Sequence, residues 1–215
     1  MAFPIVVLIS GHGSNLQAII DAIAIQDCHA TIKAVVSNRQ DAYGLQRATQ
    51  AGIMTRVVVP LPGESRLDYD QRLYDTIMPF QPKLLVLAGF MRILTAEFVA
   101  YYPNQMINIH PSLLPKYPGL RTHEQVLENR DPEHGVTIHL VTDVLDSGPI
   151  LCQAKLTVHP WDTVASLKTR IHQLEHYAYP KVINWFASQR ILIQGTSLYL
   201  DHSLLPPHGR LLDVA

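Results

Sequence analysis

The chain has 215 residues, with 17 basic and 18 acidic side chains and a formal net charge of −1, which disfavours a protein that grips nucleic acid backbones. Because 47% of the residues are hydrophobic and 16% are charged, the composition predicts a compact globular protein and argues against disorder. No apolar run reaches the length of a membrane span, so we expect small-molecule substrates and neither nucleic acid nor membrane partners.

Apolar runs alternate with helical patterns along the first half of the chain. Strands are predicted at residues 3–9, 32–36, 55–59 and 84–87. Helices are predicted from Ser14, which has a capping-box spacing to Gln17, and near residues 45–50 and 67–77. This βαβα order predicts an α/β fold with a doubly wound, mostly parallel, Rossmann-like twisted sheet and helices on both faces.

The second half begins with a fifth strand, predicted at residues 106–109, and a proline-rich loop after it. A short helix near 123–129 and strands at 136–142 and 150–158 follow. A long helix comes next, capped by Asp162 or Thr163, and Pro180 is expected to kink or restart it. Residues 203–215 are expected to form a surface tail. We predict one continuous unit with two lobes.

A glycine loop, Gly11 to Asn15, lies between the first strand and the first helix. Its backbone N–H groups and the helix dipole favour an anion, so a phosphate is the natural ligand, although a tight turn that merely needs glycine is the alternative. Leu16 replaces the third glycine of G-x-G-x-x-G, and residues 37–39 contain no acidic side chain to hold a ribose diol. A phosphosugar therefore fits better than a dinucleotide.

Asn108 and His110 lie at the predicted carboxyl end of the fifth strand, where open α/β sheets bind ligands. Residues two apart in a strand share a face, so both side chains are expected to point into a cleft. An amide that holds an oxyanion beside an imidazole that moves protons suits acyl transfer; a buried structural histidine is the alternative. Asp143 or Asp146 could orient the ring, and we expect such a carboxylate to raise the pKa of His110 until the imidazolium persists near neutral pH.

Other clusters carry weaker signals. The helical sequence His172 to His176 matches the H-x-x-E-H order of some zinc peptidases, but it lacks a third ligand, so no metal is predicted. Residues 89–94 form an apolar strip with one cation that suits a flat heteroaromatic ligand or simple core packing. Cys28 and Cys152 lie far apart without C-x-x-C spacing, which favours a reducing cytoplasm.

Four motifs span nearly the whole chain: V-V-L-I-S-G-H-G-S-N-L-Q-A-I-I-D, L-A-G-F-M-R-I-L, I-N-I-H-P-S-L-L-P-K-Y-P-G-L and L-D-S-G-P-I-L. Together they strongly resemble the phosphoribosylglycinamide formyltransferase family of folate-dependent enzymes. The I-N-I-H-P-S-L-L-P block is shared by formyltransferases generally, and S-G-x-G-S-N-L selects the glycinamide ribonucleotide branch. The resemblance implies transfer of the formyl group of 10-formyltetrahydrofolate to the amine of 5′-phosphoribosylglycinamide in de novo purine (IMP) biosynthesis.

The same resemblance implies roles for individual residues. The catalytic trio would be Asn108, His110 and Asp146, which chooses Asp146 over Asp143. The phosphoribosylglycinamide site would comprise Gly13, Ser14, Asn15 and Glu175. The folate site would comprise Arg66, Met91, Arg92, Ile93, Leu94, Asn108, Thr142, Asp143, Val144, Leu145 and Asp146. His12 and Arg121 depart from the family pattern, in which an asparagine and a histidine are common.

The resemblance also implies a division of labour, with a phosphosugar-binding lobe at about residues 1–100 and a catalytic and folate-binding lobe at 101–215, in one continuous sheet. We expect a cytoplasmic monomer or weak homodimer, with 10-formyltetrahydrofolate as co-substrate and no metal. The alternatives are an enzyme like methionyl-tRNA formyltransferase or formyltetrahydrofolate hydrolase, or a catalytically silent binder of folate or phosphosugar.

Overall fold

The computed structural model describes residues 3–213. The chain divides between Asn108 and Ile109 into two compact units. Within the described residues, no helix is long and apolar enough to cross a membrane.

The first unit is a parallel sheet with connecting helices. Its strands are β1 (Phe3–Ile9), β2 (Ala30–Ser37), β3 (Thr55–Val57), β4 (Leu84–Leu87) and β5 (Met106–His110), whose last two residues belong to the second unit. Its helices are α1 (Ser14–Ala24), α2 (Tyr43–Gln50), α3 (Arg66–Ile77), followed by a 3₁₀ turn at Met78–Phe80, and α4 (Ala96–Tyr101). The strand order is β5-β4-β1-β2-β3, and every neighbouring pair is parallel.

The core of this unit explains its strands. All four residues of β4 and residues 5–9 of β1 are buried, which suits central strands covered on both faces. The parallel strands and intervening helices confirm the predicted α/β class and mostly parallel sheet. The predicted capping box at Ser14 is wrong, because the helix is capped by Gly13 in the left-handed conformation, without a side-chain hydrogen bond.

The second unit contains α5 (Thr122–Glu128), β6 (Glu133–Leu140), β7 (Ile150–Thr157) and α6 (Val164–Ala187). The strands β6 and β7 are antiparallel, and α6 packs on both. Thr163 caps α6 in a capping box with Ser166, which confirms one of the two predicted caps. The predicted restart at Pro180 is wrong: α6 runs through Pro180 without interruption, because its neighbours Tyr179 and Val182 are anchored in the core.

The chain after α6 forms further strands: β8 (Ile191–Gln194), β9 (Ser197–Leu200), β10 (Ser203–Leu204) and β11 (Arg210–Leu212). The first three make a small antiparallel sheet, whereas β11 pairs with β7 in parallel. Residues 203–213 are mostly exposed, as predicted for a surface segment, but they form β10 and β11 rather than an irregular tail. Residues 214 and 215 lie outside the described residues. Gly209 permits this pairing because a Cβ there would lie 2.6 Å from the backbone carbon of Leu151.

Candidate active site

The carboxyl end of β5 carries the two polar residues singled out by the sequence. Asn108 and His110 are two positions apart on this strand, so strand alternation directs both side chains to one face. His110 is buried, and Asn108 is half-buried.

The imidazole of His110 meets two hydrogen-bond acceptors. Its Nε2 lies 2.8 Å from the carbonyl oxygen of Tyr117, and its Nδ1 lies 3.4 Å from Oδ2 of Asp146. Asp146 Oδ2 also accepts a 2.8 Å hydrogen bond from the backbone N–H of Gly119, and its Oδ1 lies 3.7 Å from Nε2 of His139. Sequence spacing left Asp143 and Asp146 open as partners; the structure brings Asp146 to the ring, and Asp143 is exposed.

The pKa values of this pair are set by burial and by hydrogen bonds. Burial lowers the pKa of His110 and outweighs the Tyr117 carbonyl and the Asp146 carboxylate, which both raise it. The Asp146 carboxylate thus raises the pKa of His110, as expected, but the net shift is downward, against the expectation. Burial alone would raise the pKa of Asp146, but His139 and the Gly119 N–H stabilise the carboxylate and bring that pKa below its usual value.

The glycine loop before α1 is held tightly within the first unit. Gly13 has φ 73°, and a Cβ at this position would lie 2.6 Å from the Cα of Gly44, at the start of α2. Arg47 of α2 donates to the carbonyl oxygen of His12 at 3.0 Å and to the side chain of Gln17 at 3.1 Å. The guanidinium of Arg47 is thereby fixed beside the N-terminus of α1. The first two residues of this helix are Ser14 and the buried Asn15.

The residues that depart from the family pattern are both exposed. The ring of His12 stacks on Tyr43 at 5.4 Å and faces the guanidinium of Arg47. Arg121 caps α5 with φ 60°, and its Nη2 lies 3.6 Å from Glu128.

Hydrogen bonds to the backbone hold the strip 91–94 at both of its ends within the first unit. The N–H of Met91 donates to Oγ of Ser10 at 2.7 Å, and the N–H of Thr95 donates to Oδ2 of Asp70 at 2.7 Å. Between them, Arg66 donates to the carbonyl oxygen of Ile93 at 2.9 Å.

The side chains of this strip alternate between solvent and core. Met91 is 66% and Ile93 58% exposed, whereas Leu94 is buried and Arg92 lies 3.8 Å over the ring of Tyr69. The strip therefore presents apolar side chains on a fixed backbone.

The remaining predicted residues lie in the second unit. Thr142 donates to the carbonyl oxygen of Val144 at 3.1 Å, and Val144 and Leu145 are at least half exposed. Glu175 is buried on α6, where the rings of its neighbours His172 and His176 stack at 6.0 Å. Across residues 3–213, no group of three or more histidine, cysteine or acidic side chains could hold a metal ion.

The sequence did not predict several residues that hold the strip 91–94 and the His110–Asp146 pair in place. Ser10 and Asp70 fix the strip, and Tyr117, Gly119 and His139 contact the His110–Asp146 pair. The polar Ser10 at the end of an apolar strand was an available signal. The others act through backbone atoms or through contacts distant in sequence, and no residue-type pattern marks them.

Comparisons with known proteins identify the family of the chain. Residues 4–183 match the family model described as formyl transferase. The chain is 51% identical to phosphoribosylglycinamide formyltransferase of Escherichia coli over 97% of this chain and 99% of that protein, and 43% identical to the Haemophilus influenzae protein of the same name over 95% and 97%. The solved phosphoribosylglycinamide formyltransferase of Coxiella burnetii superposes with a TM-score of 0.95 at 52% identity, covering 99% of this chain and 100% of that one. The chain belongs to the formyl transferase family.

Proposed function

We propose that this protein transfers the formyl group of 10-formyltetrahydrofolate to the amine of 5′-phosphoribosylglycinamide, a step of de novo purine (IMP) biosynthesis. One observation carries the proposal: His110, the last residue of β5, forms a buried pair with Asp146 in a chain 51% identical to a phosphoribosylglycinamide formyltransferase over 97% of its length. Fold alone would leave the activity open, because one fold hosts many reactions.

The reaction needs a nucleophile, an oxyanion site and a proton path. The substrate amine attacks the formyl carbon, and the carbonyl oxygen becomes an oxyanion stabilised by the Asn108 amide and by His110. The new C–N bond replaces the bond from the formyl carbon to folate N10, and one amine proton ends on N10. The products are the formylated amide and tetrahydrofolate.

His110 acts in this cycle through the proton on Nε2. The Tyr117 carbonyl can only accept a hydrogen bond, so Nε2 carries this proton at rest, and the same N–H turns to the oxyanion as the amine attacks. The surplus proton of the amine passes to N10 through water. Asp146 stays ionised and fixes the orientation of the ring. Nε2 must exchange its Tyr117 carbonyl partner for the reacting groups during the cycle.

The phosphoribosyl substrate would be held at its two ends by different kinds of group. Gly13, Ser14 and Asn15 supply the backbone N–H groups at the start of α1, where the helix dipole favours a phosphate. Arg47, fixed beside this loop, adds positive charge. Glu175 supplies a buried carboxylate that would accept hydrogen bonds from the ribose hydroxyls.

The folate co-substrate would lie against exposed apolar side chains on fixed backbone. Met91 and Ile93 offer such a surface in the first unit, and Val144 and Leu145 offer another in the second. The complete set that we propose for folate is Arg66, Met91, Arg92, Ile93, Leu94, Asn108, Thr142, Asp143, Val144, Leu145 and Asp146. Each step above uses acid–base chemistry and hydrogen bonds, and we propose no metal.

The setting follows from the same proposal. The substrates are small molecules, and we propose that the protein works in the cytoplasm as a monomer or weak homodimer without nucleic acid or membrane partners. The free, buried thiols of Cys28 and Cys152 suit a reducing compartment. Sedimentation velocity over a range of concentrations tests the oligomeric state.

A single assay tests the activity. Purified protein is incubated with 10-formyltetrahydrofolate and phosphoribosylglycinamide, and tetrahydrofolate and formylated product are measured together. We expect equal amounts of both. Formate release without amine formylation would indicate a hydrolase, formylation of methionyl-tRNA instead would indicate the tRNA enzyme, and binding of the substrates without turnover would indicate a silent binder.

A further inference from the structure

A buried hydroxyl on β6 has all of its hydrogen-bonding capacity in use. Thr137 is fully buried; its Oγ1 donates to the carbonyl oxygen of Ser112 at 2.7 Å and accepts from the N–H of Leu114 and from Nε2 of Gln153, both at 3.0 Å. A hydroxyl has one proton and two lone pairs, so these three bonds saturate it. Two of the three partners belong to the loop that follows β5.

Side chains supply several of the hydrogen bonds to the backbone of this loop. Three prolines, Pro111, Pro115 and Pro118, withhold N–H donors, so the loop cannot pair with a neighbouring strand along its length. Gln153 donates to the carbonyl oxygen of Leu114 at 2.8 Å, and Ser112 donates to the carbonyl oxygen of Lys116 at 2.7 Å.

The far end of the same loop holds the His110–Asp146 pair. Tyr117, which directly follows Lys116, places its carbonyl oxygen 2.8 Å from Nε2 of His110. Gly119 donates its N–H to Asp146 at 2.8 Å. A short relay therefore leads from Thr137 through Ser112 and Lys116 to the imidazole. A shift of the loop would move the ring and the carboxylate together.

We propose that Thr137, supported by Gln153 and Ser112, is a positioning residue for formyl transfer: its hydroxyl fixes the 111–121 loop and thereby the orientation of His110. The expected loss of kcat rests on the proposed function. The expected change in the orientation of His110 rests on the geometry alone. A hydroxyl that merely stabilises the core would affect unfolding but leave the ring and the turnover of the folded protein unchanged.

The kinetic test compares two substitutions at one position. Thr137→Val keeps the shape and removes the hydroxyl, whereas Thr137→Ser keeps the hydroxyl. We expect Thr137→Val to lower kcat about 10- to 100-fold with both KM values within about threefold of wild type, because small misplacements of reacting groups cost rate on that scale. Thr137→Ser should retain most of kcat. Thr76→Val, which removes a hydroxyl bonded to Arg72 on α3, is the matched control.

The structural test needs no turnover. Imidazole ¹⁵N–¹H spectra should show the Nε2–H of His110 bonded to a carbonyl in wild type and Thr137→Ser, and a shifted or rapidly exchanging signal in Thr137→Val. Should Thr137→Val fail to fold, Ser112→Ala replaces it, with the same expected loss of kcat and the same spectral change. In a double-mutant cycle the effects of Thr137→Val and Ser112→Ala should be non-additive, because both residues act through one relay.

Three results would overturn the inference: a kcat within about twofold of wild type in folded Thr137→Val, equal losses in the valine and serine variants, or an unchanged His110 spectrum. If the wild-type protein lacks formyl transfer, the proposed function fails, and the spectra alone still decide the role of Thr137.

Discussion

Nδ1 of His110 lies 3.4 Å from Oδ2 of Asp146, and each side chain is only 6% exposed. Burial lowers the pKa of the histidine, and hydrogen bonds hold the pKa of the aspartate below its usual value. Low local dielectric strengthens the attraction between the carboxylate and the ring whenever the ring is protonated. Because the Tyr117 carbonyl can only accept a hydrogen bond, the ring carries a proton on Nε2, and the Asp146 carboxylate lies on its Nδ1 side.

Replacing Asp146 with asparagine tests this pairing. The Asp146 charge raises the pKa of His110, so Asp146→Asn should shift the limb of the kcat/KM profile that reports His110 to lower pH. The plateau should also fall, on the order of 10²- to 10⁴-fold, as in other enzymes that lose the carboxylate orienting a catalytic histidine. Kinetics from about pH 5 to pH 9 provide the measurement, with Asp27→Asn, an exposed carboxylate, as control. An unshifted limb would contradict the coupling.

Asn108→Ala tests the proposed oxyanion site. Removal of one oxyanion donor typically costs about 10²- to 10³-fold in kcat, and we expect that loss here with an unfolding transition close to that of wild type. Turnover and thermal unfolding should be measured on the same preparation. A folded Asn108→Ala protein with full activity would end the assignment of this amide to the oxyanion.

Much of the fold was predictable because local patterns and burial agree. The bounds of β1 and β4 follow from apolar runs buried on both faces, and strand alternation placed Asn108 and His110 on one face of β5. The direction in which the pKa of His110 shifts was not predictable from the sequence, because the shift depends on how far the folded chain shields the ring from water. The three-residue strand β11 was missed because it exists only through its pairing with β7.

The Gly13 position should tolerate no side chain. It combines φ 73° with a Cβ site 2.6 Å from the Gly44 Cα, so Gly13→Ala must displace the backbone whose N–H groups we assign to the phosphate. We expect the KM for phosphoribosylglycinamide to rise more than tenfold and the folate KM to change little. Gly52→Ala is the control, since Gly52 has φ 70° but open space around its Cβ site. Equal effects in both variants would attribute the loss to backbone strain alone.

Ser10 should influence folate binding from beneath the strip. Its Oγ accepts the 2.7 Å hydrogen bond from the Met91 N–H, and Ser10→Ala removes this part-buried bond, which typically contributes about 0.5–1.5 kcal/mol. We expect a folate KM roughly tenfold higher with kcat at saturation nearly unchanged. Ser188→Ala removes an exposed serine hydroxyl as control. A wild-type folate KM in Ser10→Ala would contradict the role of this bond in shaping the strip.

The pair of His134 and His123 should make the protein sensitive to acid. Nε2 of His134 lies 2.9 Å from Nδ1 of His123, and burial, followed by repulsion from His123, lowers the pKa of His134 to about 4. The unfolded chain, with an ordinary histidine pKa near 6.5, therefore binds the proton first. Stability should fall as the pH falls from about 6.5 to about 4, by up to about 3 kcal/mol from this residue.

Urea unfolding at several pH values in that window measures the effect. The free energy of unfolding of His134→Gln should depend less steeply on pH than that of wild type, and His208→Gln, which replaces an exposed histidine, should keep the wild-type slope. His110 and His123 also have lowered pKa values and contribute with the same sign, so the comparison between variants isolates the share of His134. Identical slopes in wild type and His134→Gln would show that His134 titrates normally in the folded protein.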